Sequence, residues 1–316
     1  MPADRLIGES WETAIDSLII EGPHTGEPLE AAVEALGAEL LGSRAVAVFG
    51  VRFPLLAKFI DAQQWLSVQA HPDDTYAAAH EGGKLGKTEA WYILDAAPGA
   101  RIVYGVKRPV NREAVRAAVE QAQLEDLLLT VEVEAGDVVF VPAGTVHAIG
   151  AGVALFELQE YSDITYRLYD YGRIQANGQP RELHVDRALD VMRYDPSPTV
   201  KATSRIMSAD DTSERRTLVA CEYFVEEELR LGGRFTGSVT DASLQILTVL
   251  EGACELRATN TQPMRLGLGD TTVLPAGMGD YVIEGRSRLI RAYVPEPNDQ
   301  SLIRWRMAQP VAKSSL

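Results

Sequence analysis

Two histidines, a glutamate and a glutamine are spaced so that one divalent metal ion could collect them. Gln69 and His71 lie in Leu66-Ser67-Val68-Gln69-Ala70-His71-Pro72. Apolar residues alternate there with Ser67, Gln69 and His71, so in a strand those three share a face. Glu89 opens an apolar run to Leu94, just after the Gly- and Lys-rich stretch from His80 to Lys87. His147 follows the strand-like Val138-Val139-Phe140-Val141 and the turn Pro142-Ala143-Gly144. Imidazole and carboxylate suit zinc, and an amide oxygen is an acceptable fourth ligand. A catalytic zinc also keeps a position open for water or substrate. Each residue alone has an ordinary structural reading; the chemistry requires all four to converge inside a barrel.

Three more residues could act on a bound molecule. Arg167 lies in Thr165-Tyr166-Arg167-Leu168-Tyr169, whose alternation puts Thr165, Arg167 and Tyr169 together. Its forked guanidinium holds negative oxygen in a way Lys does not. Glu157 sits on the otherwise apolar strand Val153–Gln159 and is either buried and functional or turned to solvent. Burial would raise its pKa and make it a better base near neutrality. Lys87 shares a face with Glu89 and could donate to a sugar oxygen or a phosphate, or be a solvated charge. Ser67, in line with Gln69 and His71, could touch substrate or pack.

Strands must position these side chains. Phe53–Phe59, Trp65–Gln69, Glu89–Leu94, Leu129–Val133, Val138–Val141, Val153–Gln159 and Thr165–Tyr171 read as strands. Helices are predicted from Glu30 to Leu41 on the outside of the first domain, from an Asn111 cap to about Leu127, and from Pro180 to Met192. Residues 195–217 read as a linker, and short strands resume from Leu218. Closely spaced short strands indicate a sandwich or barrel. Gly136-Asp137, four residues, Pro142-Ala143-Gly144 recurs as Gly269-Asp270, four residues, Pro275-Ala276-Gly277. Such a recurrence marks an internal repeat. The second copy has Asp280 in place of His147 and, aligned through Leu94 and Leu250, Gln245 in place of Glu89. A metal is therefore expected only in the first copy.

The bulk numbers narrow the partners. The 316 residues carry a net charge of −15. That argues against nucleic acid or an anionic membrane as the main partner, since both need a cationic surface. An anionic small molecule would need local Lys or Arg to offset the field. The two cysteines, Cys221 and Cys254, read as free thiols in a reducing cytoplasm. The first residues lack the pattern of a signal peptide, and no apolar run approaches the ~20 residues that span a bilayer. Glu226-Glu227-Glu228 reads as one solvated patch. The expected assembly is a monomer or weak homo-oligomer.

Gly, five residues, Pro-X-Gly, two residues, His resembles the second cupin motif, cupins being small jelly-roll barrels. Leu66–Asp74, Gly86–Tyr92 and Ser162–Tyr171 further resemble the type I mannose-6-phosphate isomerases, most closely their shorter bacterial members. The resemblance runs from Gly8-Glu9-Ser10-Trp11-Glu12 to about Tyr171, and more loosely beyond. It implies a mainly β protein of two cupin-type jelly-roll barrels with a few added helices. The division would be a catalytic domain over 1–195, then a linker and metal-less barrel over 196–316. It implies one Zn2+ per chain on Gln69, His71, Glu89 and His147. Arg167, Lys87 and Glu157 fall on residues active in the family, with Ser67, Lys87 and Arg167 beside a sugar phosphate. The reaction would interconvert mannose 6-phosphate and fructose 6-phosphate through an enediol. Alternatives are an isomerase of a related sugar, a cupin that binds metal and sugar without turnover, and an iron dioxygenase.

Overall fold

The structure is a computed structural model and describes residues 8–175, 178–259 and 261–308. It is mainly β and falls into two compact units. One unit holds the segment ending at Trp11 with Ala57–Ala202, and the other holds Glu12–Leu56 with residues 203–308.

The first unit is built from β1 (Glu9–Trp11), β2 (Leu55–Ala62), β3 (Val68–Ala70), β4 (Glu89–Ala96) and β5 (Arg101–Val106). It continues with β6 (Leu128–Glu132), β7 (Val138–Val141), β8 (His147–Ile149), β9 (Val153–Glu160) and β10 (Tyr166–Tyr169). These form two five-stranded sheets, ordered β1-β2-β9-β4-β7 and β10-β3-β8-β5-β6. Trp91, Ile93, Val139 and Leu155 of the first sheet pack with Ile102, Tyr104 and Ile149 of the second. The inner faces of a sandwich meet there, as alternation on each strand requires. The residues in between, Val68, Ala70, Val103, Ala148, Tyr166 and Leu168, pack on the outer face of the second sheet. Helices cover that face through Ala77, Val115, Ala188 and Leu189.

Helix boundaries depart from the sequence reading. The helix capped by Asn111, whose side chain accepts from the Ala114 amide, spans only Arg112–Glu120. A separate turn, Leu124–Asp126, follows it. The segment expected to be helical from Pro180 becomes helix at Val185–Val191.

The second unit contains β11 (Arg205–Ala209), β12 (Ser213–Ala220), β13 (Val225–Leu231), β14 (Arg234–Val239) and β15 (Gln245–Ala258). β16 (Met264–Gly267), β17 (Thr271–Leu274) and β18 (Gly279–Tyr293) complete the set. The order β11-β12-β13-β18-β15-β16 carries β14 on β18 and β17 on β15. Two expectations are corrected here. The supposed linker 195–217 contributes β11 and most of the paired part of β12. Glu226-Glu227-Glu228 is no solvated patch: all three are at most 1 % exposed on β13, an interior strand of this sheet.

Residues 12–56, which the sequence division assigns to the first domain, group with this unit. Their helical stretch breaks into Leu29–Leu36 and Ala38–Leu41 at Gly37, whose positive φ suits a residue without a side chain. The link is backbone to backbone: Ser43 N donates to Asp241 O, and Leu244 N donates to Leu41 O.

Candidate metal centre

The site lies where polar residues replace apolar ones on the inner faces of the first unit's sandwich. In the second sheet, Arg167 pairs with Gln69, Gln69 with His147, and His147 with Tyr104. Directly opposed residues on neighbouring strands share a face, so these four form one row across β10, β3, β8 and β5. In the first sheet, Glu89 pairs with Gln159 and Trp91 with Glu157. Those four side chains point back toward the row.

His71, Glu89 and His147 are each 1 % exposed, and their ligand atoms lie within 4.8 Å of one another. His147 Nε2 is 3.3 Å from Glu89 Oε1, and His71 Nε2 is 3.6 Å from Glu89 Oε2. The other ring nitrogens are committed. His71 Nδ1 donates to Ile164 O at 2.7 Å, and His147 Nδ1 donates to Thr145 O at 2.8 Å. A carbonyl only accepts, so each Nδ1 carries the proton and each Nε2 turns a lone pair inward. Burial, the nearby charge of Lys87 and the facing His147 hold the His71 pKa well below its ordinary value. Burial also holds His147 low, although Glu89 opposes it.

Both Glu89 oxygens are buried; Lys87 Nζ lies 2.8 Å from Oε2, whereas Oε1 has no donor among the described residues. Two lone pairs and a carboxylate cannot bond to one another, since none brings a proton. A cation resolves the arrangement, and two imidazoles with a carboxylate fit a divalent metal.

Gln69 joins the cluster, with its amide nitrogen 3.5 Å from His71 Nε2 and 3.3 Å from His147 Nε2. The amide's two ends are interchangeable by rotation. Turned over, it offers oxygen to the cluster and its NH2 to the Ser67 hydroxyl, which now donates to Gln69 Oε1 at 3.0 Å. Ser67 is 3 % exposed and bonds to Gln69.

The remaining expected residues gather beside the cluster. Lys87 Nζ is 2.8 Å from Glu89 Oε2 and 3.8 Å from Glu157 Oε1. Both Lys87 and Glu157 are buried, which excludes the solvated readings. Burial alone would raise the Glu157 pKa, as the sequence reading anticipates. Here Lys87 and Lys58 outweigh it and hold the carboxyl below its ordinary value. Conversely, burial pulls Lys87 down, but Glu89 and Glu157 carry it above its ordinary value. Arg167 is half-buried, its Nε is buried with no partner among the described residues, and burial lowers its pKa.

Two members escaped the sequence reading. Lys58 is 6 % exposed, with Nζ 3.3 Å from Glu157 Oε1 and 4.4 Å from the centroid of the Trp11 ring. Its signal was a lone cation inside Leu55-Leu56-Ala57-Lys58-Phe59-Ile60. Gln159, fully buried, donates to the carbonyls of Glu160 and Ser162, while its Oε1 has no partner among the described residues. An amide ending an apolar strand gave no comparable signal. Three cations, Lys58, Lys87 and Arg167, thus stand against two carboxylates, Glu89 and Glu157. This locally positive ground lies in a chain of net charge −15.

Comparison with known proteins identifies the family. The family described as phosphomannose isomerase type I, catalytic domain, matches residues 2–93, and mannose-6-phosphate isomerase, cupin domain, matches residues 214–294. Mannose-6-phosphate isomerase ManA of Bacillus subtilis is 39% identical over 246 residues, covering 78% of this chain and 76% of its own. The mannose-6-phosphate isomerase of Streptococcus mutans is 34% identical, covering 92% and 89%. The crystal structure of a Bacillus subtilis mannose 6-phosphate isomerase superimposes with a TM-score of 0.78 at 34% identity, over 90% of this chain and 89% of the other. With this likeness along most of its length, the chain belongs to the type I phosphomannose isomerase family.

Proposed function

We infer that the protein interconverts mannose 6-phosphate and fructose 6-phosphate, using zinc held by Gln69, His71, Glu89 and His147. The observation that carries this reading is the meeting of two inward imidazole lone pairs with the buried carboxylate of Glu89, whose Oε1 has no donor among the described residues, beside Glu157 and its two lysines. When bound, the ion supplies Lewis acidity at the sugar oxygens O1 and O2, where negative charge develops.

The chain's own residues do the rest. Glu157, kept ionised by Lys87 and Lys58, takes the proton from C2 of the open-chain aldose. The C2–H electrons form the C1–C2 double bond of an enediol, and the proton returns from Glu157 to C1 to give the ketose. Over the same step one hydroxyl proton leaves O2 and one arrives at O1; Lys87, beside Glu89, is placed to exchange them. The guanidinium of Arg167, in the Gln69 row, binds a negative oxygen of the substrate, its Nε having no partner among the described residues. Ser67 fixes the orientation of the Gln69 amide. The locally positive ground favours a sugar phosphate over a neutral sugar.

The facing sheets of the first unit and the repeat in the second are read as two cupin-type jelly-roll barrels, the first catalytic. Among the described residues no helix is long and apolar enough to cross a membrane. Together with two free cysteines this fits an enzyme of the cytoplasm. A coupled assay of the zinc-loaded chain with mannose 6-phosphate, mannose and glucose 6-phosphate tests the reading. Turnover is expected with mannose 6-phosphate and at least ~100-fold less with either other sugar. No turnover of mannose 6-phosphate would overturn it.

A further inference from the structure

The pairing registers of the two units superimpose the internal repeat residue by residue. Glu89 pairs with Val141 on one side and Gln159 on the other. Gln245 pairs with Leu274 and Tyr293 in the same way. Val141 and Leu274 each precede a Pro-Ala-Gly turn. Two residues along, Leu247 faces Arg291 as Trp91 faces Glu157. Arg291 therefore stands in the place of Glu157, and Gln245 in that of Glu89.

The buried ion pair is also repeated, with its signs exchanged. Glu157 on β9 binds Lys58 on β2. Arg291 on β18 donates through Nε to Glu227 on β13, at 3.1 Å. Arg291 also donates to the Tyr281 hydroxyl at 3.3 Å, and that hydroxyl donates to Gln245 Oε1 at 3.0 Å. Ser301 Oγ closes the network onto Glu227 at 2.7 Å. Arg291, Glu227 and Gln245 are at most 8 % exposed. A network this buried and this fully satisfied makes a rigid floor.

Above that floor is a cavity of about 530 Å³, lined in part by Phe235, Thr240, Gln245, Asp280, Tyr293 and Glu296. This is the size of a small-molecule site. Its charge selects the ligand. Arg215 and Arg291 line it, but Glu227 already neutralises Arg291, and Asp280, Glu296 and Asp299 add three carboxylates at the wall. Phosphate is repelled there. Carboxylates, hydroxyls and an amide beside the Phe235 and Tyr293 rings suit a molecule with many hydroxyls and one apolar face.

We propose that the second unit binds a neutral polyhydroxylated ligand, a free sugar or polyol, in this cavity at the place corresponding to the metal centre of the first. The probe is D-mannose, followed by saturation-transfer NMR on the full chain with saturating fructose 6-phosphate present to occupy the first site. Asp280→Asn with Glu296→Gln removes two exposed acceptors without touching the floor. Expected are saturable millimolar binding in the wild type, about tenfold or greater weakening in the double variant, and unchanged turnover of mannose 6-phosphate. Inorganic phosphate is expected not to displace the mannose. Absence of saturable binding up to ~50 mM, displacement by phosphate, or equal binding by the double variant would each overturn the proposal.

Discussion

At the scale of single residues, proton counting defines the centre. Two imidazoles whose protons are spent on carbonyls turn lone pairs toward the Glu89 carboxylate, whose Oε1 has no donor among the described residues, a set that a metal ion would complete. The ligand types were legible because strand alternation exposes which residues share a face, and Gln69, His71 and Glu89 obey it. Lys58 was hidden because a lone lysine in an apolar strand looks like an interruption until its partner, Glu157, is seen on another strand. That partner also reversed the expected Glu157 pKa: periodicity reports burial but not the cations brought across the sheet. Lys58→Met tests the balance. With one lysine gone and burial unchanged, the Glu157 pKa rises, so the carboxylate is lost at higher pH as the solution is acidified. The acid limb of kcat/KM should move up by about one unit. An unmoved limb would show that Glu157 is not the group titrating.

At the scale of elements, close approaches set how β3 and β4 deliver their ligands. Lys87 N donates to Pro72 O at 2.9 Å, tying the entry of β4 to the residue after His71. Gly86 permits this contact, since a Cβ there would lie 2.5 Å from the backbone of Asp73 and Asp74. Gly86→Ala should cost about 1–3 kcal/mol, read as a lower urea midpoint, and should weaken metal retention because Lys87 and Glu89 follow directly. A midpoint and metal content equal to the wild type would contradict the tight contact. Strand positions were largely legible from alternation, while helix limits were not. The Asn111 cap fixed a start correctly, but the end at Glu120 is set by packing of Val115 and Ala118, which leaves no signal beyond the last buried turn. The polar stretch 195–217 reads as linker because β11 is mostly exposed and so carries no apolar stripe.

At the scale of the molecule, one repeated arrangement carries two different sets of buried charges. The Pro-Ala-Gly repeat was visible in the sequence, whereas the exchange of a buried Lys–Glu pair for a buried Glu–Arg pair needed the registers. The burial of Glu226-Glu227-Glu228 was invisible because consecutive charges suggest solvent, and only sheet order shows β13 flanked on both edges. Glu226 has no partner for either oxygen among the described residues, and burial together with Glu228 raises its pKa to about 8. Its folded pKa exceeds its unfolded one, so the stability it contributes is full below pH ~4.5 and is lost as pH rises toward 8. Glu226→Gln should remove that loss, raising stability at pH 8 by an amount on the order of a few kcal/mol while changing little at pH 4.5. An equal effect at both pH values would contradict the assignment. The whole account depends most directly on the ion at the first unit. Metal content and mannose 6-phosphate turnover, measured together on wild type, on chelator-treated protein and on His147→Ala, test it. We expect about one zinc per active chain, loss of at least ~1,000-fold in turnover on chelation, recovery with one equivalent of zinc, and no recovery in His147→Ala. Full turnover in metal-free protein would contradict it.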